Sequence, residues 1–297
     1  MHFGPAGNSR RFYDEGFKKT EQAPEWLAKQ GLDAFEYPMG RGVNLSEPSA
    51  RAIGRAAAAY GIRMSVHAPY FINCASADAE GREKSVDYLL KASRAADWLG
   101  ATRVVFHIGS PGKLNRAEAF RLSLETVASA RDRMDAEGLS GIALCPETMG
   151  RPSQMGSLDE VLALCETDPR HIPTLDFGHL HVVGQGALNS PDDFRRVLGR
   201  MVGVLGYDRA KDFHIHFSRI DYGPKGEKRH MNFSDEGYGP DFRHLAPVLA
   251  EMGLEPVVIC ESAGDQADDA LFMRRAVLEF KEKNAPRRDC EPGADMV

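Results

Sequence analysis

The sequence predicts an α/β chain folded as a single (β/α)8 TIM barrel, on three observations. Short β-branched or aromatic runs alternate with amphipathic helical stretches, there are eight of each, and six consecutive strands carry a histidine or a carboxylate at their ends. Such alternation marks parallel βαβ units. A doubly wound open sheet shares it, but the count of eight and the polar strand ends favour the barrel. No composition break marks a second domain. The barrel is expected over residues 1–283, and the polar, Pro- and Gly-containing stretch 284–297 is expected to be a loose tail.

The strands are expected at 2–6, 33–37, 62–68, 103–109, 141–147, 172–178, 212–218 and 255–261. Helical patterns lie near 14–30, 47–60, 80–99, 115–137, 157–167, 191–205, 241–251 and 266–283. Ser46 and Ser157 stand at helix N-caps, and Glu160, three residues after Ser157, completes a capping box. Gly31, Gly61, Gly100, Gly138 and Gly253 fall where helices stop before strands, as left-handed C-caps.

Composition narrows the function classes. The chain has 297 residues, a net charge of -6, 42% hydrophobic and 27% charged residues. That argues against attachment to nucleic acid by bulk charge and leaves room for a local basic groove. Five cysteines at irregular spacing, without a C-x-x-C, make a disulfide framework or a cysteine zinc knuckle a poor fit. The N-terminal MHFGPAGNSRRF has no apolar signal-like stretch, and no run approaches the roughly 18 apolar residues of a membrane span. A cytoplasmic protein with no membrane and no obligate protein partner is the expectation.

The chemistry gathers at the strand ends. The third strand ends in His67, the fourth carries His107, the fifth ends in Glu147, the sixth carries Asp176, the seventh His214 and His216, and the eighth ends in Glu261. In a parallel barrel these ends converge on one face. One strand-end histidine is usually a hydrogen-bonded core residue. Six such groups crowded into one mouth would repel or be left poorly solvated unless divalent cations compensate them. Imidazole and carboxylate donors together suit zinc or manganese. His214 and His216 share one side of their strand; His216, nearer its C-terminal end, is the better ligand, and His214 reads as a structural histidine. His179, just past the sixth strand, and His230, in a long loop after the seventh, can reach the same mouth.

The segments HAPYFIN (67–73), FHIGS (106–110), PETMG (146–150), DFGHLH (176–181), HFS (216–218), RHMNF with EGYG (229–239) and VVICES (257–262) together resemble the ordered motifs of the endonuclease IV family of apurinic/apyrimidinic endonucleases. The resemblance spans roughly residues 60–265. It implies that His67 and His107 bind one metal, that Glu147 bridges it to a second, and that Asp176, His216 and Glu261 complete the second site. His179 and His230 match two ligands of a third metal. The family's remaining ligand there is an Asp two residues before the loop histidine, and Lys228 holds that position. Either two ions bind and Lys228 serves as a catalytic cation, or Glu227 swings in as the third ligand. The family's D-T-C-H is D-F-G-H here, and the N-terminal FGPAGNS does not match well.

The implied reaction is hydrolysis of DNA 5′ to abasic sites, with two or three divalent ions, zinc first and manganese as alternative. Two metals bridged by Glu147 would activate a water. Tyr70 matches an aromatic that the family inserts at the lesion, and equally reads as rim packing. Arg41 reads as a DNA contact or as a solvated loop arginine. The alternative is a metal-dependent sugar isomerase or epimerase of the same barrel type, with Glu147 and Glu261 as paired acid/base groups. The acidic net charge and Lys228 lean toward it; the motif set leans toward the nuclease.

Overall fold

Side chains alternate along a strand, so each short run shows one face to the surrounding helices and the other to the strands across the barrel. A computed structural model describes residues 1–284. It contains ten strands: β1 (His2–Pro5), β2 (Ala34–Pro38), β3 (Arg63–His67), β4 (Arg103–Phe106), β5 (Ala143–Pro146), β6 (Thr174–Asp176), β7 (His214–Phe217), β8 (Arg219–Gly223), β9 (Gly226–Met231) and β10 (Val257–Cys260). One parallel sheet runs β2-β3-β4-β5 and another β1-β10-β7-β6. Parallel bridges Ala6–Glu36 and Glu147–Thr174 join the two sheets at both seams. There Gly7 N–H donates to the Glu36 carbonyl at 2.9 Å and Thr148 N–H to the Thr174 carbonyl at 3.1 Å. The eight expected strands thus form the expected ring. Beyond Asn284, the tail expected over 284–297 lies outside the described residues, as does Cys290.

Helix signals behave as the sequence suggests. The Ser46 side chain accepts from Ser49 N–H, and Ser157 with Glu160 forms a capping box. Gly31, Gly61 and Gly100 are left-handed C-caps. Three elements differ. The helix expected near 14–30 is broken into Arg10–Asp14, a 3-10 turn Thr20–Gln22 and Ala23–Gln30. The sixth strand is short because Asp176 caps a helix, Phe177–Val183, by accepting the His179 N–H. The segment after β7, expected as a loop, forms the antiparallel hairpin β8–β9. Gly226 begins β9 at φ +104, where an added Cβ would sit 2.5 Å from the Gly150 carbonyl oxygen. That approach holds the hairpin against the loop after β5.

The two faces of each strand have separate fates. Phe106, Ile215, Phe217 and Val258 join the large core between barrel and helices. Ala34, Val257 and Ile259 form one small cluster, and Val105, Ala143 and Cys145 another. These are the alternate residues of the same strands and face the barrel interior. By the same alternation Glu36, Ser65 and His67, and His214 and His216, point inward, so the interior turns from aliphatic to polar toward the strand C-termini. Among the described residues no helix is long and apolar enough to cross a membrane.

The seam between β1 and β2 leaves no room for a side chain. A Cβ on Gly4 would lie 1.7 Å from the Ala34 carbonyl oxygen. Gly4→Ala should therefore lower the unfolding free energy by about 3 kcal/mol or more, as overpacking against backbone does. Gly203→Ala, on an exposed helical position with nothing nearby, should raise it by about 0.5–1 kcal/mol. Urea unfolding of both variants checks the pair; a Gly4→Ala chain as stable as the parent would contradict the seam geometry.

Candidate metal centre

The inward-facing residues at the C-terminal ends of β3, β4, β5 and β7 meet at one point. Glu147 is fully buried. Its Oε2 lies 3.2 Å from His67 Nε2 and 3.1 Å from His107 Nε2, and its Oε1 lies 3.1 Å from His216 Nδ1. Glu261, after β10, places Oε2 3.5 Å from the same His216 nitrogen. Asp176 joins Glu147, His216 and Glu261 in a set whose ligand atoms lie within 4.8 Å of one another, and His67, His107 and Glu147 form another such set. The structure thus brings together all six strand-end residues.

A third set, His179, Glu227 and His230, closes the mouth on the hairpin side. Glu227 lies 3.2 Å from His179 Nε2 and 3.4 Å from His230 Nε2. Lys228 is elsewhere: its side chain is 59% exposed and its nitrogen sits 3.4 Å from Asp221, so the expectation that it faces the mouth is corrected. The cause is a β-bulge. Asp221 pairs with Arg229 and Tyr222 with Glu227, which leaves Lys228 as the extra residue. In a regular strand Lys228 would share a face with His230. The bulge shifts the alternation by one, and Glu227 takes that face.

The donor chemistry fits cations. His67 Nδ1–H donates to the Ala68 carbonyl at 2.8 Å, and His179 Nδ1–H to the Thr148 carbonyl at 2.8 Å. His230 Nδ1 pairs with Ser218 Oγ at 2.8 Å. With the outer nitrogen held this way, the inner Nε2 of His67 and His179 carries a lone pair aimed at a carboxylate, which needs a proton or a metal between them. Asp176 Oδ2 is buried without a partner. Burial, together with the charges of Glu261 and Glu147, pushes the Asp176 carboxyl up to about 6. Against the burial that would raise it, the charge of His216 and contacts to His107, His216 and His67 hold Glu147 well below the usual carboxylate range. Against its own desolvation, His179 and His230 likewise hold Glu227 low. Divalent ions in these sets would take the place of the protons that now compensate the carboxylates.

The mouth opens into a cavity of about 430 Å³ that also touches Arg151 and Gln154. Tyr70, half-exposed at its rim, stacks on His107 at 5.4 Å and meets His67 edge-on at 4.9 Å. Arg41 lies in the exposed loop after β2, which lines a neighbouring depression with Tyr70. Sequence reasoning missed Glu36. It is fully buried beneath the mouth, 2.9 Å from His216 Nε2 and 3.1 Å from His214 Nε2. The signal was present, a lone acid amid the apolar residues of β2.

Known proteins share this framework. The family model described as xylose isomerase-like TIM barrel matches residues 24–281. An uncharacterized protein of Methanocaldococcus jannaschii is 31% identical over 274 residues, 92% of this chain and 95% of its own. A probable endonuclease 4 of Symbiobacterium thermophilum is 28% identical over 264 residues, 84% of this chain and 92% of its own. Among solved structures, a D-tagatose 3-epimerase-like protein superposes with a TM-score of 0.68 at 19% identity, covering 87% of this chain and 93% of that one. Endonuclease IV from Thermus thermophilus superposes with a TM-score of 0.61 at 21% identity, covering 89% and 94%. At these identities the structures share the fold.

Two outcomes follow from the geometry. Glu227→Ala should lower the metal content of the purified protein by one ion per chain, and Lys228→Ala should leave it unchanged, as elemental analysis would read; the reverse result would contradict the bulge. Burial notwithstanding, neighbouring carboxylates raise His179 and His216 well above 6.5 and raise His230. The carboxylates thus favour the protonated rings, and a ligating nitrogen must give its proton up. Zinc binding should therefore release protons, with affinity rising as pH rises. Calorimetric heats should then vary with the ionisation enthalpy of the buffer; buffer-independent heats would contradict it.

Proposed function

Because the chain belongs to the xylose isomerase-like TIM barrel family, we propose that it is a metal-dependent phosphodiesterase that hydrolyses DNA 5′ to abasic sites. The carrying observation is the His179–Glu227–His230 set beside the two sets that share the mouth. A sugar epimerase needs a metal and two carboxylates; a third donor set at the rim would hold a further cation where a phosphate and a leaving oxygen need positive charge. The likeness to probable endonuclease 4 of Symbiobacterium thermophilum, over 92% of that protein, supports the same substrate class.

His67, His107 and Glu147 would hold one ion, Glu147, Asp176, His216 and Glu261 a second, and His179, Glu227 and His230 a third. The mixed imidazole and carboxylate donors suit zinc, with manganese as the alternative. When bound, such ions supply Lewis acidity and positive charge. The chain supplies the rest. Glu147 keeps the imidazoles of His67, His107 and His216 converged. Tyr70 offers an aromatic face on which a base or a deoxyribose beside a lesion can pack. Arg151 and Arg41, at the rim of the mouth and of the depression beside it, would meet backbone phosphates. The free, buried Cys74, Cys145, Cys165 and Cys260 suit work in a reducing cytoplasm.

One observation favours epimerisation of a sugar instead. Glu147 and Glu261 flank His216 Nδ1 at 3.1 and 3.5 Å, a pairing that could pass a proton across a bound ketose. The two readings part on one experiment. Zinc- or manganese-loaded protein should nick a duplex carrying a synthetic abasic site on its 5′ side, and Glu147→Gln should lower that rate at least about a hundredfold, as for lost groups around a metal. An intact duplex, with a ketohexose epimerised by the same preparation, would replace the nuclease with the epimerase.

A further inference from the structure

Glu36 has no part in the six-residue mouth, yet it is a fully enclosed carboxylate beneath it. It enters the barrel from β2, at the seam where its backbone bridges to Ala6. Its Oε2 accepts the Ser65 hydroxyl at 2.8 Å and faces His214 Nε2 at 3.1 Å. Its Oε1 faces His216 Nε2 at 2.9 Å. All four side chains are buried, Glu36, His214 and His216 with no exposed surface at all.

We infer that Glu36 is a positioning residue for the metal centre: its charge, 2.9 Å from Nε2 of His216, favours the proton on that nitrogen and so leaves Nδ1 as the nitrogen offered to an ion. The inference rests on the metal-centre part of the proposed function and is independent of whether the substrate is DNA or a sugar. A neutral imidazole has one N–H and one lone pair. The Nδ1 of His216 looks toward the mouth, 3.1 Å from Glu147 and 3.5 Å from Glu261. Were the proton on Nδ1, the Nε2 lone pair would face a carboxylate oxygen in a closed interior with no proton between them. With the proton on Nε2, the positive edge of the ring faces the charge of Glu36, close but not in hydrogen-bond geometry, and the Nδ1 lone pair would face a cation held by the mouth carboxylates. This is the arrangement by which a carboxylate behind a ligating histidine fixes its tautomer and ring orientation.

Glu36, His214 and His216 also lie close enough to hold an ion of their own. His216 decides against it. An ion there and another at the mouth would need lone pairs on both of its nitrogens, and a neutral imidazole has only one. His214 then serves Glu36 rather than a metal: its Nε2 meets the second carboxylate oxygen, alongside the Ser65 hydroxyl, and the carboxylate is steadied from two sides.

Cobalt(II) added to the full chain gives the test, with affinity read by competition against a chromophoric chelator and coordination read from the visible d–d bands. Glu36→Gln should weaken one equivalent of cobalt by about ten- to a hundredfold and alter its bands, with the other equivalents unmoved. Binding within twofold of the parent and an unchanged spectrum would overturn the proposal. A second measurement needs no variant. In the zinc-loaded parent, long-range 15N–1H correlations should show His216 with a metal-shifted Nδ1 and a protonated Nε2. A metal-shifted Nε2, or a crystal structure with an ion between Glu36 and His214, would overturn it. A parent chain that takes up no cobalt would overturn the metal centre itself, which separates the two failures.

Discussion

Buried carboxylate charge is the constraint on which the rest of the molecule depends. Glu147, Asp176 and Glu36 are all without exposed surface, in a barrel whose lower interior is lined by Ala34, Ala143 and Val257. Three such charges are tolerated only when each is compensated at contact distance. Imidazoles supply the contacts: His67, His107 and His216 on Glu147, His179 beside Asp176, His214 and His216 on Glu36. The imidazoles can do this in two ways, as protonated partners of the acids or as co-ligands of shared cations. That choice would let the mouth exchange protons for metal.

The barrel frame and the site are coupled at the seams. Glu147 and Glu36 each stand in one of the two bridges that join the four-stranded halves, Glu147 against Thr174 and Glu36 against Ala6. The backbone that closes the ring is therefore the backbone that carries two of the central acids. A shift of one residue at either seam would turn the acid from the interior to the helix side, because side-chain direction along a strand has a period of two. The close contact at Gly4 belongs to the same design, since it lets β1 approach the backbone of β2.

Outside the ring, the hairpin β8–β9 completes the mouth. It is held by Gly226 against Gly150, and its bulge exchanges the lysine expected at the site for a glutamate. The consequence is electrostatic. A lysine would bring one fixed positive charge; Glu227 between His179 and His230 brings a ligand set that can accept a doubly charged ion. Tyr70 adds a partly exposed aromatic face over His107 beside that set, so the rim joins a stacking surface and a candidate ligand set in one place.

Much of this was legible in the chain. The eight strands, the capping box at Ser157, and the convergence of His67, His107, Glu147, Asp176, His216 and Glu261 all follow from local rules: hydrophobic period, helix stop signals, and the fact that parallel strands end on one face. Such rules act over a few residues and need no partner. Lys228, Glu227 and Glu36 obey other causes. Whether Lys228 or Glu227 shares the face of His230 depends on a bulge, set by how β9 registers against β8 and packs on Gly150. Whether the acid of β2 meets His216 depends on where β2 sits across the barrel from β7. The sequence by itself determined the ring of strands and the residues at its mouth, because those are properties of single elements. Only the tertiary structure decided which acid serves which histidine, because a bulge and a barrel crossing join residues that no local pattern connects.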